Sequence, residues 1–158
     1  TPAFSSTLRT LDATTVLPQN SLAIGSDGNP VIAYRSQPTT STLRFARCND
    51  PTCATFALST LDGNNGVPVG DYPSVAIGGD GFPVIAYRDR NRGTLKVLHC
   101  GDLACSAGGN TITTVDPVVD AGSFTAIAIA TDGLPIITHT DTAARQLRLR
   151  KCASATCQ

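Results

Sequence analysis

The sequence predicts an all-β protein of the β-propeller class, and three observations carry this prediction. The segment at 74–88 recurs at 21–35 and at 125–140. The three copies are 52 or 53 residues apart, measured between the aspartates of their Asp-Gly pairs. Each repeat holds four strand-like segments, and four strands in a unit of this length are typical of a propeller blade. We therefore predict a single domain, residues 1–158, with repeats at about 7–53, 57–105 and 110–157.

Each repeat opens with an outer strand, predicted at 7–12, 57–62 and 111–116. Its apolar residues are three apart instead of alternating, which indicates an edge strand with a bulge. A variable loop rich in Gly, Pro and Asp follows. The next strand, 22–24 in the first repeat, alternates large and small apolar residues, as suits an inner strand close to a crowded axis.

The Asp-Gly pair then predicts a hairpin turn, because glycine adopts a positive φ without strain. The proline that follows it (Pro30, Pro83 and Pro135) is placed at the first position of a strand, where the missing N–H is tolerated. The second strand, 31–34 in the first repeat, is continuously apolar, which indicates cover on both faces by neighbouring blades. The last strand runs over 43–48 and its copies, to the first cysteine of each repeat.

The six cysteines form three C-x4-C pairs, one in each repeat: Cys48 and Cys53, Cys100 and Cys105, Cys152 and Cys157. We predict a local disulfide in each pair, worth roughly 2 kcal/mol by loop entropy. Disulfides persist in oxidising compartments, so an extracellular or periplasmic location is predicted. Zinc binding is the competing interpretation, although structural zinc sites favour C-x2-C spacing with four converging ligands.

Composition argues against several classes of partner. The formal net charge is +0 and 15% of the residues are charged, so neither a nucleic acid nor a membrane surface is an expected partner. The turn aspartates Asp27, Asp80 and Asp132 suggest calcium, but each precedes a glycine and lacks the D-x-D-x-D ligand spacing. We therefore expect turns at these positions, with no metal and no cofactor.

The order of the segments predicts an assembly. An outer strand precedes the first blade and none follows the third, and three blades are too few to close a ring. We expect a C2 homodimer in which residues 4–12 of each chain complete the third blade of the other, giving six blades. A fragment of a longer array is the alternative. A β-trefoil, also built from three four-stranded repeats, stays open as a different fold.

The repeat at 74–97 resembles those of bacterial extracellular β-propeller repeat proteins. The matching features are a Ser-hydrophobic-Ala-hydrophobic start, a Gly-x-Pro turn, and then Tyr87, Asp89, Gly93, Leu95 and Lys96. The resemblance extends over nearly the whole chain in three copies, and it implies a propeller without implying an activity. A sialidase box is echoed only faintly at 26–30. Because the chain has no Trp and no assignable Arg triad, that activity is not carried over.

The candidate ligand-binding residues lie in the loops predicted for one rim of the propeller. They are Arg35, Asp71, Tyr72, Arg88, Asp89, Asp120 and Asp141. Alternating Asp and Arg side chains in such a ring would hydrogen-bond a sugar or a small acidic ligand. The alternative is a set of solvated loop charges. His139 shares a repeat position with Tyr34 and Tyr87, and is expected to be a structural replacement for tyrosine.

No nucleophile elbow, P-loop, HExxH motif or carboxylate pair is present, so no catalytic residue is predicted. The sequence favours a non-catalytic extracellular binding or scaffold module, with glycan binding as the more specific form. Near-identical repeats suit multivalent binding. A glycosidase-like or lyase-like enzyme with a site on the axial rim is one alternative. A purely structural repeat module is the other.

Overall fold

The computed structural model describes residues 8–37, 40–63, 65–106 and 108–158. Within these ranges the chain forms eleven strands in three antiparallel sheets and no helix. The prediction of an all-β fold is therefore confirmed.

The first sheet has four strands in sequential order. They are β1 (Val16–Ile24), β2 (Pro30–Ser36), β3 (Thr42–Cys48) and β4 (Phe56–Asp62). The second sheet repeats this order with β5 (Asp71–Ile77), β6 (Pro83–Asp89), β7 (Thr94–His99) and β8 (Thr111–Asp116). The third sheet has three strands, β9 (Ser123–Ile129), β10 (Pro135–Asp141) and β11 (Gln146–Lys151), so the far edge of β11 is open.

Most predicted segments coincide with observed strands, and the prolines open β2, β6 and β10 as expected. The inner strand β1 begins earlier than predicted, at Val16. In the second and third sheets the third strand ends one residue before the cysteine. Of the first predicted outer strand, residue 7 lies outside the described residues, and residues 8–12 form no strand within the chain.

The Asp-Gly pairs form tight turns in all three repeats. In the first, the N–H of Gly28 donates to the carbonyl of Gly25 over 2.9 Å, and the N–H of Gly25 donates to the carbonyl of Asn29 over 2.8 Å. Gly28 has a φ of 81°, which lies in the left-handed region that favours glycine. Asp27 accepts the N–H of Asn29 on its side chain, so turn chemistry accounts for this aspartate.

The three predicted disulfides are present: Cys48–Cys53, Cys100–Cys105 and Cys152–Cys157. Their Cα atoms are 4.7 to 4.8 Å apart, within the usual range for a disulfide. Since all six cysteines are oxidised, the zinc interpretation is wrong.

The sheets pack face to face and enclose two apolar cores. One core joins Val31, Ala33, Leu43 and Phe45 of the first sheet to residues of the second. The other joins the second sheet to the third. The middle sheet is therefore covered on both faces, and residues 83–87 of β6 are all buried. In the third sheet β10 alternates buried and half-buried residues, because only one of its faces is covered.

The inner strands lie side by side and are joined by serine side chains. The N–H of Val75 donates to Oγ of Ser21, and the N–H of Ile127 donates to Oγ of Ser74, each over 3.1 Å. This linkage gives a physical role to the serine that begins the repeated segment. The third repeat has Ala126 at that position, which offers no hydroxyl.

The described residues contain no helix that is long and apolar enough to cross a membrane.

Candidate functional site

The candidate site lies at the end of the sheets where the inner strands begin. Gln19, Tyr72 and Phe124 share one repeat position there, each eight residues before its turn aspartate. They bring an amide and two aromatic rings to adjacent inner strands. We call Tyr72 and Phe124 the aromatic pair.

The backbone at the aromatic pair is unusual. Tyr72 has a φ of 51° and Phe124 a φ of 52°, and bulky residues rarely occupy this left-handed region. The register of β5 against β6 shifts between Asp71 and Ser74, which marks a bulge at Tyr72. Strained backbone of this kind clusters at ligand-binding and catalytic sites, and so directs attention to this rim.

Neighbouring side chains hold the bulge in place. Oε1 of Gln19 accepts the backbone N–H of Tyr72 over 3.0 Å. The hydroxyl of Thr125 donates to the carbonyl of Tyr72. Both backbone polar groups of Tyr72 are thus bonded by side chains of adjacent inner strands, which leaves its ring free to present a surface.

The two rings of the aromatic pair contact each other at the rim. Their centroids are 4.6 Å apart and their planes are tilted by 39°. Phe124 is 66% exposed, an unusual state for a phenylalanine in a strand. A shallow cavity beside the rings is lined by Gln19, Asn20, Tyr72, Pro73, Phe124 and Thr125. The rim therefore offers an apolar shelf edged by amide and hydroxyl groups.

Two ion pairs between neighbouring sheets involve residues close in sequence to the aromatic pair. Nε of Arg35 lies 2.9 Å from Oδ1 of Asp71 and donates a 2.6 Å hydrogen bond to Oγ of Ser41. Burial lowers the pKa of Arg35, and the charge of Asp71 opposes that shift. Arg88 pairs with Asp120 over 3.1 Å. Each pair joins the second strand of one sheet to the segment that enters the next.

The remaining predicted rim residues, Asp89 and Asp141, end β6 and β10 and are each only 2% exposed. Asp89 pairs with Lys96 over 2.9 Å and accepts the backbone N–H of Asn91. Asp141 pairs with Arg148 over 2.7 Å. The structure thus brings Arg35, Asp71 and Tyr72 together, and Arg88 with Asp120, while Asp89 and Asp141 lie in separate buried pairs. Ligand binding by the seven residues stays a prediction.

Sequence reasoning did not select Phe124 or Gln19. The available signal was position: both align with Tyr72 when the repeats are superposed on their turn aspartates. Residue type obscured this signal, because the three residues share neither charge nor hydrogen-bonding groups.

A second set of polar clusters repeats between the sheets, and sequence reasoning missed this set too. In each cluster an aspartate that precedes a sheet contacts the second and third strands of that sheet. Tyr34 donates to Asp12 over 2.6 Å, and Arg44 pairs with the same carboxylate over 3.1 Å. Although burial opposes it, the hydrogen bond from Tyr34 lowers the pKa of Asp12.

The other two clusters have the same plan. Around Asp62 they gather Tyr87 and Lys96, and around Asp116 they gather His139 and Arg148. Burial strongly raises the pKa of Tyr87, so its hydroxyl stays protonated and acts as a donor.

His139 is buried in the third cluster, at 1% exposure. Its Nδ1 accepts the backbone N–H of Gly122 over 3.1 Å, which assigns the ring proton to Nε2, 3.3 Å from Asp116. Burial lowers the pKa of His139 and outweighs the opposing charge of Asp116. The histidine takes the place of Tyr34 and Tyr87 beside the aspartate of its cluster, in agreement with the expected structural replacement.

The carboxylates of the chain are all engaged within it. The chain has twelve aspartates and no glutamate, and every aspartate lies in the described part of the chain. Ten contact a basic side chain. Asp50 and Asp102 instead accept backbone N–H groups in the disulfide loops.

Comparison with known proteins shows the fold and no family. No family model and no curated protein sequence matches the chain. A protein of unknown function from Dyadobacter fermentans DSM 18053 superposes with a TM-score of 0.63 at 12% identity, over 82% of this chain and 36% of that one. A thermostable family-43 glycoside hydrolase superposes with a TM-score of 0.55 at 11% identity, over 92% of this chain and 53% of the hydrolase. The chain therefore spans between a third and just over half of these two structures.

Proposed function

We propose that the chain is a non-catalytic, extracellular binding module of the β-propeller class, which binds glycans at the aromatic pair. The three sheets are its blades, and a second copy of the chain supplies the other half of a six-bladed ring. In this proposal the chain belongs with the bacterial extracellular propeller repeat proteins that its repeats resemble. The three disulfides support a location in an oxidising compartment.

The observation that carries the proposal is the aromatic pair with its left-handed backbone, in which Phe124 is exposed and Tyr72 is half-buried. A sugar ring has an apolar face and a rim of hydroxyl groups, so it fits an aromatic shelf edged by hydrogen-bonding groups. Gln19 and Asn20 edge the shelf on one side, and Thr125 edges it on the other.

The carboxylates favour binding over catalysis. A hydrolase of glycosidic bonds commonly needs two carboxyl groups with different protonation states. Here the aspartates of the rim and of the clusters are ion-paired, and two of them share the cation Lys96. The likeness to a family-43 glycoside hydrolase lies at 11% identity and carries the fold alone.

Glycan-array screening followed by calorimetry with the best glycan tests the proposal. The test variant is Tyr72→Asn with Phe124→Asn, because asparagine tolerates the left-handed backbone while removing both rings. The matched control is Phe82→Asn, at the opposite end of the second sheet, where the first repeat has Asn29. We expect the double variant to lose at least tenfold in affinity, as about 1.4 kcal/mol would produce, and the control to bind normally.

Three results would contradict the proposal. Equal affinity of the wild type and the double variant would remove the aromatic pair as the site. Turnover of a glycoside by the purified protein would replace the binding function with an enzymatic one. A wild-type chain that binds no glycan would leave the purely structural interpretation.

A further inference from the structure

The two end sheets expose apolar side chains at positions that are buried elsewhere in the molecule. Leu147 and Leu149 of β11 are 79% and 67% exposed. Their repeat equivalents in β3 and β7 are all 0% exposed, because the next sheet covers them: Leu43, Phe45, Leu95 and Val97. The third sheet thus keeps a face built for a following sheet, and no sheet in the described chain covers it.

The first sheet exposes the complementary face. Leu22 of β1 is 60% exposed, whereas its equivalent Val75 is 6% exposed against the first sheet. The open face of the first sheet therefore carries apolar residues at positions equivalent to those that the second sheet packs against the first. The two open faces are the two halves of an interface that occurs twice within the chain.

Residues 8–12 already occupy part of that interface. Asp12 contacts Tyr34 and Arg44 of the first sheet as Asp62, at the end of β4, contacts Tyr87 and Lys96 of the second. Leu11 lines a cavity together with Val16, Ile32, Tyr34 and Ala46 of the first sheet. The segment is thus placed against the first sheet as an outer strand is placed against the sheet that follows it.

Within the described chain, residues 8–12 lack the strand pairing that the outer strands β4 and β8 have. The strands β4 and β8 hydrogen-bond to β3 and β7 of their own sheets. Residues 8–12 pair with no strand in the described part of the chain, and Leu8 is 99% exposed. The far edge of β11 is also unpaired in the third sheet. An unpaired edge beside exposed leucines favours the addition of a strand.

We infer that the edge of β11 binds residues 8–12 of a second copy of the chain, so that each copy completes the third sheet of the other; this inference rests on the two-copy ring of the proposed function and not on glycan binding. The internal sheets set the register. Arg44 pairs with Thr60 and Ala46 with Leu58 in the first sheet, and Lys96 pairs with Thr114 and Leu98 with Ile112 in the second. The equivalent partners across the two copies are Arg148 with Thr10 and Arg150 with Leu8.

The solution mass tests whether a second copy is the occupant. Light scattering on the purified chain is expected to give twice the chain mass of 16.3 kDa. Leu149→Asp places a charge in the apolar face and is expected to return the mass to that of one chain. The matched control, Ile112→Asp, changes a half-exposed residue of β8 outside the proposed interface and is expected to remain dimeric. A wild-type mass of 16.3 kDa would overturn the inference.

Cross-linking tests the register. Two single variants, Leu8→Cys and Arg150→Cys, are mixed, oxidised and separated without reductant. Because each chain carries one added cysteine, a disulfide between the two variants joins different copies. We expect this bond to form, and we expect at least tenfold less of it when Leu149→Cys replaces Arg150→Cys, since its side chain points to the other face. Equal cross-linking in the two mixtures, or none in either, would overturn the proposed register.

Discussion

The hydroxyl of Tyr87 donates a 2.7 Å hydrogen bond to Oδ2 of Asp62, and so joins β6 of the second sheet to the last residue of the first sheet. The tyrosine is fully buried, and Lys96 approaches the same carboxylate oxygen to 3.3 Å. The end of one sheet is thereby tied to the core of the next by a neutral donor and a cation together.

Removing that hydroxyl should weaken the junction. We expect Tyr87→Phe to lower the free energy of unfolding by about 1 to 2 kcal/mol, because the hydrogen bond is lost while Lys96 still compensates Asp62. Urea denaturation measures the change. Tyr72→Phe is the control, since its ring lies at the rim and its hydroxyl bonds to no other described residue. Equal stability of Tyr87→Phe and the wild type would show that the bond contributes nothing to folding.

The third cluster, in which His139 lies beside Asp116, should make the stability of the protein depend on pH. Burial lowers the pKa of His139, so the unfolded chain, with an ordinary value of 6.5, takes up the proton more readily than the folded one. Stability from the neutral ring is present above pH 6.5 and is lost as the pH falls below it. We expect His139→Tyr, which restores the residue of the other repeats, to lessen the loss of stability between about pH 7.5 and about pH 5.

Thermal unfolding of both proteins across that pH range is the measurement. His99 is present in both proteins, so the comparison isolates residue 139. Parallel pH profiles for the wild type and His139→Tyr would show that His139 is not the group responsible.

The contribution of each serine link between inner strands to stability should be measurable with a single substitution. Ser74→Ala removes the acceptor of the Ile127 N–H, and we expect a loss of about 1 kcal/mol because that backbone donor is left without its partner. Ser59→Ala, in the outer strand β4, is the comparison and should change stability by less than about 0.5 kcal/mol. Denaturant titration measures the free energy of unfolding of the two variants. An equal loss of stability in both would show that the hydroxyl of Ser74 has no special role.

The elements were predictable from sequence where one local signal determined them. Asp27-Gly28 with Pro30 fixed a turn and the start of a strand in every repeat. The start of β1 was missed because Pro18 and Asn20 argue against a strand. They are tolerated there because β1 hydrogen-bonds to β2 along one edge only, and the other edge does not require the N–H of a proline.

The site was less predictable, because it depends on what lies between sheets. The rim charges Arg35 and Asp71 were selected, but only the packing of two sheets shows that they form a buried pair. The aromatic pair depends on a backbone bulge at Tyr72, where the register of β5 against β6 shifts. The residue types at this position do not predict such a bulge. Asp12 was read only as the end of a strand, because its contacts with Tyr34 and Arg44 lie more than twenty residues away.

The replacement of serine by Ala126 makes the three inner strands unequal. Serine hydroxyls link the first inner strand to the second and the second to the third, whereas the outward side of the third offers only a methyl group. A ring assembled from such chains would hold firmly within each polypeptide and less firmly where two polypeptides meet. On dilution it should separate into intact halves that can recombine with new partners, well before any single chain begins to melt.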